Sequence, residues 1–188
     1  MSGFCGWVSK GCEQTDRHQI LAGMLQAIKC PSRSEAQITL HDSGGAAACS
    51  YLYSASLHHE GDVVALIVGS PEWSDTSLAD IASDRSPAAA LYTAYRRYGP
   101  DLLRCLHGAF ALAVVDGDSA LLTIDRSGIH TLAYTLQDDC LVFATNIQSV
   151  TGHPLVQREI DPQAIYNYFY FHHIPSPGSI FKRVEKLL

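Results

Sequence analysis

Six consecutive apolar residues, Val63-Val64-Ala65-Leu66-Ile67-Val68, stand between Asp62 and Gly69 with no polar side chain among them. Side chains along a strand alternate between the two faces of its sheet. A strand that is apolar at every position therefore reads as one covered on both faces. This run requires a layered fold in which a sheet lies inside, and the rest of the chain has to supply the cover.

The remaining segments divide into strands and helices. Residues 4–8 form a short aromatic and apolar strand almost at the N-terminus. Thr15 and Asp16 can cap a helix over 17–28, where Ile20, Leu21, Met24, Leu25 and Ile28 recur at helical spacing and Pro31 ends the run. Residues 37–40 and 49–57 read as two strands separated by Asp42-Ser43-Gly44-Gly45. Residues 69–74 read as a loop. Ser86-Pro87 opens a helix over 88–98, with proline in the first turn and Gly99-Pro100 as the stop. A helical turn over 101–106 follows, then strands at 110–115, 120–125, 132–136 and 140–145. Asp161-Pro162 starts a last helix through 171. The tail, HHIPSPGSIFKRVEKLL, is rich in proline and glycine and reads as a linker or docking strip. Strands in two groups, with helices before, between and after them, fit a two-sheet α+β sandwich with helices outside. The pattern alone does not select it over other α+β layerings.

Composition bounds the function classes. With 188 residues, 47% hydrophobic and 17% charged, the chain is globular and long enough for a real core. A formal net charge of -6 with no basic cluster argues against nucleic acid and against an anionic membrane surface as partner. No basic, apolar leader begins the chain and no apolar stretch approaches a membrane span, so a cytoplasmic location is expected. The six cysteines, Cys5, Cys12, Cys30, Cys49, Cys105 and Cys140, are widely spaced without a CxxC pair and read as reduced thiols. The nine histidines include two adjacent pairs, His58-His59 and His172-His173, whose side chains point apart. No metal site is expected.

Several segments, in order along the chain, carry a resemblance. The start, Met-Ser-Gly-Phe-Cys-Gly, is similar to Met-Cys-Gly-Ile-x-Gly. Residues 106–116, LHGAFALAVVD, are similar to L-x-G-x-F-A-[FL]-A-x-x-D. Residues 125–134, DRSGIHTLAY, followed by LVFATNIQSVTGHP, resemble D-R-x-G-x-[KR]-P-L-Y and the strand after it. The stretch IDPQAIYNYFYFHHIPSPGSIFKRVEKL resembles a lead into a synthetase domain. Together they resemble the class II glutamine amidotransferase domain of the asparagine synthetases.

The resemblance implies a four-layer αββα N-terminal-nucleophile sandwich, with two antiparallel sheets between helix layers. It implies an amidotransferase-like domain over 1–160, and a C-terminal helix and linker over 161–188 leading toward a synthetase domain. In that family Met1 is removed and an N-terminal cysteine attacks the glutamine amide with its own α-amine as base. Here Ser2 holds the nucleophile position; a serine can fill that role but is a poorer nucleophile at neutral pH than cysteine. Tyr51 stands where the family has the arginine that grips the substrate carboxylate. Val68 stands at the asparagine of the oxyanion hole, while Gly69 keeps the backbone N–H. Pro87 falls at the aspartate that binds the substrate amine, with Asp84 as a nearby substitute. Arg126 beside Asp125 is expected to form a structural salt bridge, and Trp7 and Trp73 to pack in the core or a loop.

These departures imply a domain whose glutaminase activity is lost and which serves as scaffold or docking module for an ATP-pyrophosphatase-type synthetase partner. The alternative is a Ser-nucleophile amidohydrolase, or a slow glutaminase supplying ammonia for asparagine-type amide synthesis. No cofactor is expected in this domain; ATP and Mg belong to the synthetase domain. A homodimer is left open.

Overall fold

The computed structural model describes residues 2–9, 16–28, 35–50 and 54–188. Among the described residues, ten strands form two antiparallel sheets. The first contains β1 (Gly3–Ser9), β2 (Glu35–His41), β3 (Gly44–Ser50), β8 (Ala133–Gln137), β9 (Cys140–Ala144) and β10 (Glu185–Lys186), in the order β10-β8-β9-β1-β3-β2. The second contains β4 (Ala55–Glu60), β5 (Val63–Trp73), β6 (Leu106–Asp116) and β7 (Ser119–Ile124), in that order. Helices α1 (Arg17–Gln26) and α4 (Ile147–Val150) pack against the first sheet. Helices α2 (Thr76–Asp84) and α3 (Pro87–Tyr98) cover the second. Helix α5 (Pro162–Phe171) follows them along the chain.

Strand parity explains the layers. In β5, Val64, Leu66 and Val68 point between the sheets and meet Phe4 and Val8 of β1, Ala46 and Ala48 of β3, and Phe143 of β9. Val63, Ala65 and Ile67 point the other way, onto Leu78 of α2 and Ala88, Leu91 and Ala94 of α3. The outer face of β1 carries Cys5 and Trp7, which pack with Leu21, Met24 and Leu25 of α1. The six-residue apolar run is therefore covered on both faces, as its composition requires, within an αββα sandwich.

Local chemistry sets the helix starts. The side chains of Asp16, Asp75, Ser86, Asn146 and Asp161 each accept a backbone N–H from the first turn of the helix that follows. Proline occupies the first turn of α3 and of α5, where its missing N–H costs nothing.

Several expectations need correction. Residues 69–73 are not a loop: β5 continues to Trp73, because β6 is equally long and pairs with it from Val63↔Asp116 to Trp73↔Leu106. The single strand expected over 49–57 is two strands in different sheets, with β3 ending at Ser50 and β4 beginning at Ala55. Helix α2 went unread; Asp75 caps it through Ser77 N–H at 2.9 Å. The turn after α3 is a 3-10 helix, Gly99–Cys105. The tail is not a free strip. Strand β10 pairs with Tyr134 and Ala133 of β8, Leu187 N–H donates to Leu132 O at 2.8 Å, and Val184 is buried. Trp7 and Trp73 both pack against core clusters.

Candidate active site

Ser2 precedes the central strand of the six-stranded sheet. Strand β1 is hydrogen-bonded to β3 on one side and β9 on the other, and all seven of its residues are buried. Ser2 itself is half-buried. Gly3 is required here by space: a Cβ on it would lie 2.1 Å from Thr145 Oγ1 and 3.2 Å from Thr145 Cβ. Thr145 fixes the strand end. Its N–H donates to Phe4 O at 3.0 Å, its Oγ1 accepts from Phe4 N–H at 3.3 Å, and its carbonyl accepts from Thr131 Oγ1 at 3.1 Å.

On the facing sheet, Val68 and Gly69 sit in the outgoing half of β5. The Val68 side chain is buried in the layer between the sheets, packed with apolar neighbours. It brings no hydrogen-bond donor. Gly69 has φ +113°, and a Cβ there would meet Ala109 O at 2.3 Å and His130 Nε2 at 2.7 Å. Only glycine lets the backbone take that angle and pass this close to the imidazole. The Gly69 N–H donates to Ser54 O at 3.0 Å.

The other positions named from the sequence are dispersed. Asp84 is the exposed last residue of α2. Pro87 lies in the first turn of α3, whose N-terminal N–H groups already have partners: Ala88 N–H donates to the buried Ser56 Oγ at 3.0 Å, and Ala89 N–H to Ser86 Oγ at 3.1 Å. Tyr51 lies outside the described residues. Cys5 lies in the layer under α1; burial first, then the neighbouring Cys49, pushes its thiol up to about 12. A thiol that weakly acidic is a poor source of thiolate at neutral pH.

One residue was missed. His130 occupies the Lys/Arg position of the D-R-x-G-x-[KR] pattern, and the fold sets its ring against Gly69. The preceding loop is organised by Asp125, only 4% exposed, whose carboxylate accepts N–H groups from Ser127 at 3.0 Å, Ile129 at 3.2 Å and His130 at 3.1 Å. Burial works to raise the pKa of this carboxyl, but the N–H groups of His130, Ile129 and Ser127 together outweigh it and hold the pKa below the usual carboxylate value. The expected salt bridge to Arg126 is absent, because backbone donors take up the carboxylate and the Arg126 side chain is exposed. An open groove of about 1020 Å³ flanks this loop, floored by Leu106, Phe110 and Ile124 and edged by Arg104 and Arg126.

Thr131 and Thr145 hydroxyls brace the end of the strand that Ser2 precedes, and the His130 imidazole lies against the Gly69 backbone. Among the described residues, no three His, Cys, Asp or Glu side chains converge to hold a metal ion.

The profile of a glutamine amidotransferase domain matches residues 79–188. Asparagine synthetase [glutamine-hydrolyzing] 3 of Bacillus subtilis (strain 168) is 28% identical over 105 residues, covering 54% of this chain and 17% of that protein. The match thus spans under a fifth of the relative's length. Among solved structures, glutamine phosphoribosylpyrophosphate amidotransferase from B. subtilis, complexed with ADP and GMP, superposes with a TM-score of 0.56 at 14% identity, covering 85% of this chain and 45% of that one. An allosteric regulatory enzyme of purine biosynthesis gives 0.54 at 11% identity, covering 80% and 43%. These structures share the two-sheet sandwich with helices outside. The chain belongs to the family of glutamine amidotransferase domains, of the class II, N-terminal-nucleophile type found in asparagine synthetases.

Proposed function

We propose that this chain is the amidotransferase-type domain of an ATP-dependent amide-forming protein in which efficient hydrolysis of free glutamine has been lost, leaving a scaffold and docking module. The observation that carries this reading is the state of the oxyanion position. The Val68 side chain is committed to the inter-sheet core, and the Gly69 N–H is committed to Ser54 O. Loss of one such donor typically costs about 100- to 1000-fold in rate. Ser2 in place of cysteine weakens the attacking atom, and Pro87 in place of an acid removes a partner for the substrate amine. Asp84, exposed at the end of α2, is a poor substitute. ATP and Mg, with the acylating chemistry, would belong to a separate synthetase-type domain, and a cytoplasmic setting goes with it. Cys5, Cys49 and Cys105 are free thiols.

The test is ammonia release from glutamine by the chain, with the state of its N-terminus read from intact mass. The expected result is no release above buffer, and no gain on Ser2→Cys. Turnover at the ordinary enzyme scale of about 1–1000 per second overturns the reading. A second reading has one observation in its favour: Ser2 sits half-buried at the head of the central strand, where an N-terminal nucleophile would be placed. A Ser-nucleophile amidohydrolase acting on another amide, or a slow glutaminase, follows from that. It requires removal of Met1, so an intact mass that retains Met1 eliminates it.

A further inference from the structure

Two histidines stand at the end of the sandwich remote from Ser2. Strand β1 runs from Gly3, next to Ser2, to Ser9, whose N–H donates to Ser43 O at 2.8 Å in the turn between β2 and β3. Toward that end, side chains join the two sheets. Gln37 Oε1 of β2 accepts the Leu57 N–H of β4 at 2.8 Å, and Thr39 Oγ1 meets His59 Nδ1 at 2.7 Å. Ser43 Oγ donates to Gly117 O, in the turn between β6 and β7, at 3.0 Å. His41, Ser43, His59 and Gly117 line a cavity of about 150 Å³ where these turns meet.

The bonds assign both tautomers. Gly61 O can only accept, so His59 Nε2, 2.9 Å away, carries a hydrogen, and the Nδ1 of neutral His59 accepts from Thr39. Gly117 O likewise takes the Ser43 hydroxyl hydrogen, so Ser43 Oγ accepts from His41 Nδ1–H at 3.3 Å. The one ring hydrogen of neutral His41 is thereby placed. Its Nε2 is a bare lone pair, buried and without a partner among the described residues. A second proton on His41 can only go to Nε2, where it would make a buried N–H with no acceptor. The charged and titratable neighbours among the described residues are His59 from β4, Arg17 from α1, the adjoining Asp42, and Asp62 from the turn between β4 and β5. Arg17 is held in place by donating to His41 O at 2.9 Å and to Asp42 O at 3.1 Å. Burial first, then His59 and Arg17, lower the His41 pKa, and Asp42 opposes them without cancelling them.

We propose that His41 is an acid-sensitive latch between the two sheets: a proton on its Nε2 drives the ring out of the cavity, breaks the His41–Ser43–Gly117 chain of bonds, and frees the turn between β2 and β3 from the second sheet. Protonated His59 keeps both of its bonds, since Nδ1–H can donate to Thr39 Oγ1, so the response belongs to His41. The sign follows from linkage. The opened ring titrates near the ordinary value of about 6.5 and the closed one lower, so the latch is closed at neutral pH and opens as pH falls below about 6.5. The latch is independent of the fate of glutamine hydrolysis at the other end of the sandwich.

Hydrogen exchange of the whole chain, corrected for the intrinsic pH dependence of exchange and compared between about pH 7.5 and 5.5, tests this. The expected result is a loss of protection at the Ser9 and Gly117 amides of about twofold to tenfold, with the β9 amides unchanged. The loss should vanish in His41→Gln and persist in His59→Gln. Unchanged protection in the wild type overturns the proposal, and so does a loss shared equally by β9, which is global unfolding. A loss that survives His41→Gln overturns it as well. If that variant does not fold, nitrogen–proton NMR correlation of the wild-type His41 ring decides the question. The ring hydrogen should sit on Nδ1 at neutral pH, and the midpoint of its titration should coincide with the loss of protection at Ser9 and Gly117. A hydrogen on Nε2, or midpoints that do not coincide, overturns the latch.

Discussion

Helices α3 and α5 begin by the same local rules. Each has a capping side chain, Ser86 or Asp161, that accepts a first-turn N–H, and each has proline in its first turn. Their surroundings are opposite. Helix α3 buries Ala88, Ala89, Ala90, Leu91 and Ala94 against the four-stranded sheet and turns Arg96 and Arg97 outward. Helix α5, with no charged residue, buries Ala164 alone. A helix apolar on most sides is ordinarily a buried one. The difference shows that capping and periodicity decide that a helix forms, while the area available on neighbouring elements decides what it buries. In α3 the small alanines let the helix approach the sheet closely. In α5 large aromatic rings stand clear of the other described elements.

The comparison is sharpened most by Leu91→Ala. Leu91 is fully buried in the α3 layer, so the substitution should lower unfolding free energy in urea by about 2–5 kcal/mol. Phe169→Ser on α5, in dilute solution, should change it by less than about 0.5 kcal/mol. Equal effects would break the contrast. Covered and bare regions should also separate with pH. His153, 1% exposed and packed on the Trp7 ring at 5.3 Å, has its pKa lowered by burial to about 4. The unfolded imidazole, near 6.5, binds a proton that the folded one resists, so stability falls as pH drops from about 6.5 to 4. The loss should reach about 3 kcal/mol, and His153→Gln should flatten that part of the profile in thermal melts.

Smaller effects probe the loop behind Gly69. Asp125→Asn removes the charge that accepts three N–H groups and should cost about 1–3 kcal/mol at neutral pH. The folded pKa of Asp125 is depressed. Its contribution is therefore fully present above the unfolded value near 3.9 and fades as pH falls through the lower folded value, so the gap between wild type and variant should close in acid. A modest and equal change is expected at the feature that α3 and α5 share. Ser86→Ala and Asp161→Ala should each cost about 1 kcal/mol, since a cap acts on its own first turn whatever the rest of the helix buries. A much larger loss at Ser86 would show that the neighbouring Ser56–Ala88 bond depends on that cap.

Much of the fold was legible from local pattern. The run over residues 63–68, the caps at Asp16, Ser86 and Asp161, and the strands near 110–115 and 140–145 all stand where pattern put them. The failures have a common cause. Residues 69–73 carry Pro71 and polar side chains and look like a loop, but pairing with β6 makes them strand. Residues 49–57 look like one strand, yet the chain leaves one sheet and enters the other between Ser50 and Ala55. The candidate site was legible as a set of positions but not as a set of bonds. Nothing local to Gly69 says that its N–H goes to Ser54 or that His130, about 60 residues on, lies against it.

The sequence by itself determined where α1, α3 and α5 start and that residues 63–68 form a strand apolar on both faces, because capping, turn chemistry and side-chain periodicity act within a few residues. Tertiary structure alone decided which strands pair, which imidazole meets which glycine, and that α3 is covered while α5 is bare. Those outcomes depend on surfaces brought together from distant parts of the chain, and no window of neighbouring residues contains them.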